Sequence, residues 1–334
     1  MEKKYSVIIP VYNRPAEVGE LLDSLTHQTC KDFEVVIVED GSTLRCDEVV
    51  RKYDALLSVR YFFKPNSGRS LTRNYGMERA QGDYFLFFDS DCILPEDYFQ
   101  KVSACLEETK ADCFGGPDKA HVSFSRMQKA VSHSMTSFLT TGGIRGGKKG
   151  LEKFVPRTFN MGFSRRVYHT VGGFKDMFGE DIDLSTRIRK AGFSVRLFPD
   201  AYVYHKRRIN LKSFYRQVYV FGMARIGLYQ LHPESLKLVH WLPACFVLGL
   251  AFLFLTSFIC LWALLPAGIY LFALFVESWI VNRDLPIAGL SVITGLVQLT
   301  GYGTGFLNAF ARKVILKQHI DPEAELKKYY KKKS

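Results

Sequence analysis

Between Leu238 and Val281 the chain carries one fully charged side chain, Glu277, and no other feature narrows its possible folds as much. A soluble helical hairpin needs a polar stripe facing water, and this stretch offers almost none. A helix crossing a bilayer needs about 20 apolar residues. The stretch is long enough for two such helices turning near Leu265 and Pro266, and a second apolar, glycine-rich run from about Leu285 to Phe310 supplies a third. The residues up to about 235 instead mix charged and apolar runs as a soluble α/β domain does. The expected organisation is an α/β domain over 1–210, an amphipathic interfacial helix over 211–235, two to three transmembrane or re-entrant helices over 236–316 and a basic tail over 317–334.

Net charge is +12 and gathers late, in Arg312, Lys313 and Lys317 and then Lys327, Lys328, Lys331, Lys332 and Lys333. Basic residues next to apolar spans favour the cytoplasmic face and anionic membrane lipids over nucleic acid. If the amino-terminal domain and the tail are both cytoplasmic, the number of crossings is even. One of the three apolar segments is then re-entrant or interfacial, and the glycine-interrupted one around Gly295 to Gly305 is the candidate. Met1-Glu2-Lys3-Lys4 leads into only a short apolar run broken at Pro10, so no secretory signal is expected. Seven irregularly spaced cysteines without a Cys-x-x-Cys pair suggest neither a disulfide framework nor a zinc site.

In the first 210 residues, apolar runs at Tyr5–Pro10, Phe33–Val38, Ser58–Phe63 and Tyr84–Phe88 alternate with helical patterns, which indicates βαβ units and a mainly parallel sheet. Asn13 and Pro15 read as the cap and first turn of a helix. The turns after these strands are acidic or glycine-rich and fall at strand carboxyl ends, where open α/β sheets bind ligands. Asp89 and Asp91 end the fourth strand and suit a divalent cation, Mn2+ or Mg2+, shared with substrate phosphates. A turn with Asp91 capping the next helix is the plainer alternative. Arg69 and Arg73 share a helix face near its amino terminus and suit a diphosphate. Glu39 can accept from the N3–H of a uracil, with the backbone from Pro10 to Asn13 lining the same pocket. His205 can complete the metal shell as a neutral imidazole.

The segments Val7-Ile8-Ile9-Pro10-Val11-Tyr12-Asn13, Glu39-Asp40-Gly41-Ser42, Arg73-Asn74-Tyr75-Gly76, Asp89-Ser90-Asp91, Gly172-Gly173-Phe174 and Glu180-Asp181, in that order and spacing, resemble the family 2 glycosyltransferases of GT-A fold. The resemblance covers roughly residues 5 to 210. It implies a Rossmann-like α/β catalytic domain and inverting transfer from a nucleotide diphosphate sugar, often a uridine one. It also implies that Asp181 is the general base with Glu180 as its neighbour, and that Asp89 and Asp91 handle ribose, metal and diphosphate. The donor-binding set is then Pro10, Tyr12, Asn13, Glu39, Asp40, Arg69, Arg73, Asp89, Ser90 and Asn160, and the metal set Asp89, Asp91 and His205. The family usually has Asp where Glu39 stands. Processive members carry Gln-x-x-Arg-Trp, whereas this chain has Gln217 and Arg225 without the tryptophan.

These features favour addition of one sugar, or a few, to a hydroxyl of a glycan or lipid-linked acceptor, in cell-surface polysaccharide or glycolipid synthesis at a bacterial inner membrane. The glycine-rich segment from Gly142 to Gly150 is expected to act as a lid. A sugar nucleotidyltransferase would need a lysine-containing, glycine-rich loop after the first strand, and Val11-Tyr12-Asn13-Arg14-Pro15 is not one. A non-catalytic sugar-nucleotide-binding membrane protein and a processive synthase subunit are the remaining rivals.

Overall fold

The computed structural model describes residues 4–142, 154–206 and 210–318, with Glu325 and Tyr329. The expected lid, apart from Gly142, and most of the basic tail fall outside the described residues. Chain contacts divide the protein into two units, Met1–His121 with Lys153–Lys206, and Val122–Glu152 with Arg207–Ser334. The expected single catalytic domain over 1–210 is thus corrected, because an internal segment belongs with the C-terminal helices.

The first unit runs β1 (Tyr5–Val11), α1 (Pro15–Thr26), β2 (Phe33–Asp40), α2 (Asp47–Arg51), β3 (Val59–Lys64), α3 (Arg69–Arg79), β4 (Tyr84–Phe87), β5 (Cys92–Ile93), α4 (Tyr98–Thr109), β6 (Cys113–Gly115) and β7 (Asp118–Lys119). Helices α5 (Arg126–Thr136) and α6 (Phe138–Thr141) lie in the second unit. The chain then returns through β8 (Met161–Ser164), α7 (Arg165–Val171), α8 (Glu180–Lys190), β9 (Val195–Leu197) and β10 (Val203–His205).

A seven-stranded sheet has the order β3-β2-β1-β4-β8-β6-β9. Only β8 runs antiparallel to its neighbours, so the expected mainly parallel sheet is observed. All eight residues of β2 are buried, as in a strand covered on both faces. Alternate residues serve opposite cores, following the two-residue period of a strand. Val7, Ile9, Val35, Ile37 and Leu86 pack with Leu21, Leu22 and Phe99, whereas Ile8, Val36, Val38, Phe85 and Phe87 pack with Met77, Leu184 and Ile188. This arrangement brings the ends of β1, β2 and β4 to one edge. A small sheet, β5-β10-β7, adds the last strand beside that edge.

The second unit adds α9 (Leu211–Leu231), α10 (Leu242–Ser257), α11 (Leu265–Asn282) and α12 (Leu285–Phe310). Three stretches, Leu238–Ser257, Leu261–Asn282 and Leu285–Ile315, are long and apolar enough to cross a membrane. Their outer surfaces support membrane association: Phe252, Leu255 and Trp262 are 65%, 64% and 78% exposed.

Two expectations change here. The glycine-interrupted segment, expected to be re-entrant or interfacial, is one continuous helix of 26 residues. Its glycines are contact points: a Cβ on Gly301 would meet Val218, and one on Gly305 would lie 2.0 Å from the Tyr219 carbonyl oxygen. The supposed interfacial helix α9 is the partner in that contact, with Phe214, Val218, Met223 and Ile226 buried. Its aromatic residues therefore serve packing as well as surface.

Candidate active site

Asp89 and Asp91 follow the buried end of β4, and the chain turns at once into β5. Strand β10 pairs antiparallel with β5, placing His205 opposite Cys92 and so beside the acid pair. His205 Nε2 lies 3.2 Å from Asp91 Oδ1 and 4.0 Å from Asp89 Oδ2. The Phe159 ring stacks on the imidazole at 4.8 Å and fixes its plane. Ligating atoms of Asp91, Cys92 and His205 lie within 4.8 Å of one another, but Cys92 Sγ donates to the Phe159 carbonyl at 3.6 Å. Carboxylate and imidazole donors remain, a set that suits Mn2+ or Mg2+ better than a thiolate-seeking ion. Asp91 Oδ1 supports the fit: it is buried, close enough to His205 for an ion pair, and makes no hydrogen bond among the described residues.

The other oxygen, Asp91 Oδ2, is bound by the Arg14 guanidinium. Burial alone would raise the carboxyl pKa of Asp91, yet His205 and Arg14 outweigh it and hold the group well below the usual carboxylate range. Asp91 is not a helix cap, since α4 begins after Asp97.

Helices α3 and α8 each start at a glycine with positive φ, Gly68 at 92° and Gly179 at 79°. A side chain there would be strained, and the turns aim both amino termini at the same rim. Glu180, 3% exposed, receives Arg69 Nε at 2.8 Å and Arg73 Nη1 at 3.2 Å. Arg73 Nη2 continues to Asp89 Oδ1 at 2.8 Å. A charged chain thus runs from Arg69 through Glu180 and Arg73 to Asp89. Next to it, Asp181 Oδ1 accepts the Ile182 amide at 2.9 Å, and Arg157 Nη1 lies 3.4 Å from Asp181 Oδ2.

Several expected donor-binding residues turn out to hold the framework. Arg73 is 2% exposed and committed to two carboxylates, so it is not an open anion site. Asn160 is fully buried; its side chain accepts from Tyr98 Oη at 2.6 Å and donates to the Ala201 carbonyl at 2.8 Å. Asp40 accepts the amides of Ser67 and Gly68 at 2.8 and 2.9 Å, besides Lys64 Nζ, and so shapes the turn before α3. Asn13 does not cap α1; with φ at 54° its Oδ1 accepts the Thr43 and Leu44 amides, both at 2.8 Å.

Glu39 lies beneath the rim and is fully buried. Its Oε2 accepts from the Cys46 amide and from Tyr61 Oη, while Oε1 has no partner among the described residues. Burial, and then the Glu39 carboxylate, push the Cys46 thiol and the Tyr61 hydroxyl up in pKa. Tyr12 is 45% exposed, Pro10 half-buried and Ser90 buried. The Gly172-Gly173-Phe174 segment is a clamp on α3: Asn74 Nδ2 donates to the Phe174 carbonyl and Asn74 Oδ1 accepts the Phe174 amide, both at 2.8 Å.

Arg14 and Arg157 escaped the sequence reading. Arg14 directly follows the Pro10 to Asn13 segment expected to line the pocket, so its adjacency to Asn13 was a usable signal. Nothing near Arg157 in the sequence points to Asp181.

A family description, "Glycosyl transferase family 2", matches residues 6–172. An uncharacterized glycosyltransferase of Rickettsia felis is 39% identical over 107 residues, 32% of this chain and 18% of that protein. In seven such relatives the match spans only 16% to 39% of their length. Succinoglycan biosynthesis protein ExoA of Rhizobium meliloti is 25% identical over 320 residues, 92% of this chain and 96% of that protein. Among solved structures, a mannosyltransferase of Pyrobaculum calidifontis, in complex with GDP-Man and Mn2+, superposes with a TM-score of 0.57 at 19% identity. It covers 96% of this chain and 89% of its own, a likeness of fold. With half the chain matched, this protein belongs to glycosyl transferase family 2.

Proposed function

We propose that the protein transfers a sugar from a nucleotide diphosphate sugar, with uridine as the base, to a hydroxyl of a glycan or lipid-linked acceptor, inverting the anomeric centre. The observation that carries this is the convergence of Asp89, Asp91 and His205 beside the Arg73–Glu180 pair, with Asp181 next in the chain. The family, the ExoA likeness and the Mn2+ and GDP-Man of the Pyrobaculum enzyme support cation-assisted transfer from a nucleotide diphosphate sugar, while uridine as the base rests on Glu39 and on the family resemblance.

Asp89, Asp91 and His205 would hold a divalent cation, which when bound neutralises charge on the departing diphosphate. Arg14 must release Asp91 Oδ2 for that carboxylate to ligate fully, and the freed guanidinium is then available to phosphate oxygens. The ring of Tyr12 offers a face for the base, and Glu39 Oε1 is the remaining acceptor beneath it. Asp181 accepts the acceptor hydroxyl's proton as the bond forms, a contribution of roughly a hundred- to ten-thousand-fold. Glu180 is a positioning residue that keeps Arg69 and Arg73 aligned. Transfer of one sugar, or a few, fits the missing Gln-x-x-Arg-Trp element, and the apolar helices fit work at the inner membrane with the first unit on the cytoplasmic side.

The test is nucleotide release from candidate sugar donors by the full chain in detergent, with Mn2+ and a panel of acceptors. Release dependent on acceptor and on Asp181 supports the reading. Tight donor binding without release across the panel would support a sugar-nucleotide sensor instead.

A further inference from the structure

In the second unit, one carboxylate lies within a stretch otherwise free of full charges. Glu277 precedes the end of α11 at Asn282 by about 8 Å of helix, at 1.5 Å per residue. It is turned toward the junction of α5 and α6, where Ser137 Oγ donates to its Oε2. His133 Nε2 stands 3.6 Å from the same oxygen, too far for a hydrogen bond, and this buried nitrogen makes none among the described residues. The imidazole is held on its other side: His133 Nδ1 faces Asn282 Nδ2 at 3.5 Å, and Asn282 donates to the Ser278 carbonyl at 3.0 Å. Ser278 Oγ in turn donates to Ser291 Oγ at 2.8 Å.

The pair is not sealed. Glu277 is 26% exposed against 7% for His133, so access is from the carboxylate side. Just beyond it, Trp279, Ile280 and Val281 are 48%, 56% and 65% exposed, and the exposed Arg283 ends the helix. A tryptophan at the border of an apolar surface, close to an exposed cation, marks the level of lipid headgroups. Ionisable residues inside apolar segments usually serve ligands or pathways. Helix-to-helix bonding alone leaves His133 Nε2 unsatisfied, which is costly for a buried polar atom. A ligand hydroxyl seated beside both atoms, about 2.8 Å from each, would satisfy them together.

We propose that Glu277 and His133, backed by Ser137 and Asn282, form a hydroxyl-binding site for the sugar headgroup of a glycolipid at the bilayer surface. The inference rests on the membrane-acceptor reading above, but its test needs no turnover, so the two can fail separately. Bulk phospholipids such as phosphatidylglycerol also carry hydroxyls, and the experiment separates that source.

The full chain is placed in nanodiscs of phosphatidylethanolamine and phosphatidylglycerol doped with monoglucosyl diacylglycerol, and retained lipid is counted by native mass spectrometry. Saturable retention of the glucolipid over phosphatidylglycerol is expected, displaced by octyl glucoside. Glu277→Gln and His133→Ala should each weaken it about tenfold or more while keeping the thermal unfolding midpoint. Equal retention in both variants, equal retention of phosphatidylglycerol, or failure of octyl glucoside to compete in the unaltered protein would overturn the proposal.

Discussion

In the α/β unit, charged side chains from β4, α3, α8 and β10 meet at one sheet edge and pair across elements that are distant in sequence. In the helical unit, hydroxyls such as Ser134, Thr294, Ser278 and Ser291 meet between helices, and the ionisable groups are scattered: Arg225, His232 and His240 are buried, Lys313 pairs with Glu325, and Glu277 faces His133. The first pattern arises because a parallel sheet delivers every strand's carboxyl end to the same place. The second arises because lipid offers helices little apolar driving force, so small residues and hydroxyls must make the contacts. The comparison teaches that burial has a different meaning in each unit. At the sheet edge a buried polar residue such as Asn160 or Asp40 is framework, and the acids proposed to carry the chemistry, Asp89, Asp91 and Asp181, are less buried. Between the helices the partly exposed carboxylate is the unusual group.

The largest expected effect tests the first half of that contrast. Asp181→Asn should lower turnover by about a hundred- to ten-thousand-fold while nucleotide affinity stays within about twofold. Steady-state nucleotide release together with calorimetric binding would separate the two quantities. Asn160→Ala, although in the expected donor-binding set, should act on stability. Losing a fully buried amide that answers Tyr98 and Ala201 should cost about 1 to 3 kcal/mol, seen as a lower denaturation midpoint, with the donor KM of the remaining folded protein little changed. His205→Ala should weaken Mn2+ affinity by about ten- to a hundredfold, measured by electron paramagnetic resonance without donor.

Gly305→Ala probes the second half. Its Cβ would press on the Tyr219 backbone, so a loss of about 1 to 3 kcal/mol is expected, with Mn2+ affinity unaffected. Arg14→Gln should have the smallest effect and the opposite sign, a severalfold gain in donor-free Mn2+ affinity, because the ion no longer competes with the guanidinium.

The sequence carried the strands well, since Tyr5–Val11, Phe33–Asp40, Val59–Lys64 and Tyr84–Phe87 fall within two residues of their expected bounds. Buried parallel strands are short apolar runs closed by polar turns, a local signal. The acid pair and Asp181 were visible for the same reason, being tied to element ends. Asp40, Asn13 and Asn160 misled because a polar residue at a strand end looks alike whether it binds a ligand or staples the next loop. The reversal of β8 and the transfer of Val122–Glu152 to the helical unit depend on contacts between distant segments, which no local pattern announces. The continuity of α12 was hidden by its glycines, read as interruptions when they are the face that meets α9.

The central claim is a division of labour: Asp89, Asp91 and His205 hold the cation and the leaving diphosphate, and Asp181 handles the acceptor proton. It is tested most directly by Mn2+ binding and nucleotide release measured on the same preparations of Asp181→Asn and Asp91→Ala. The account predicts that Asp181→Asn binds Mn2+ as the unaltered protein does yet loses release, and that Asp91→Ala loses Mn2+ affinity. Intact release in Asp181→Asn, or loss of Mn2+ binding there with Asp91→Ala unaffected, would contradict it.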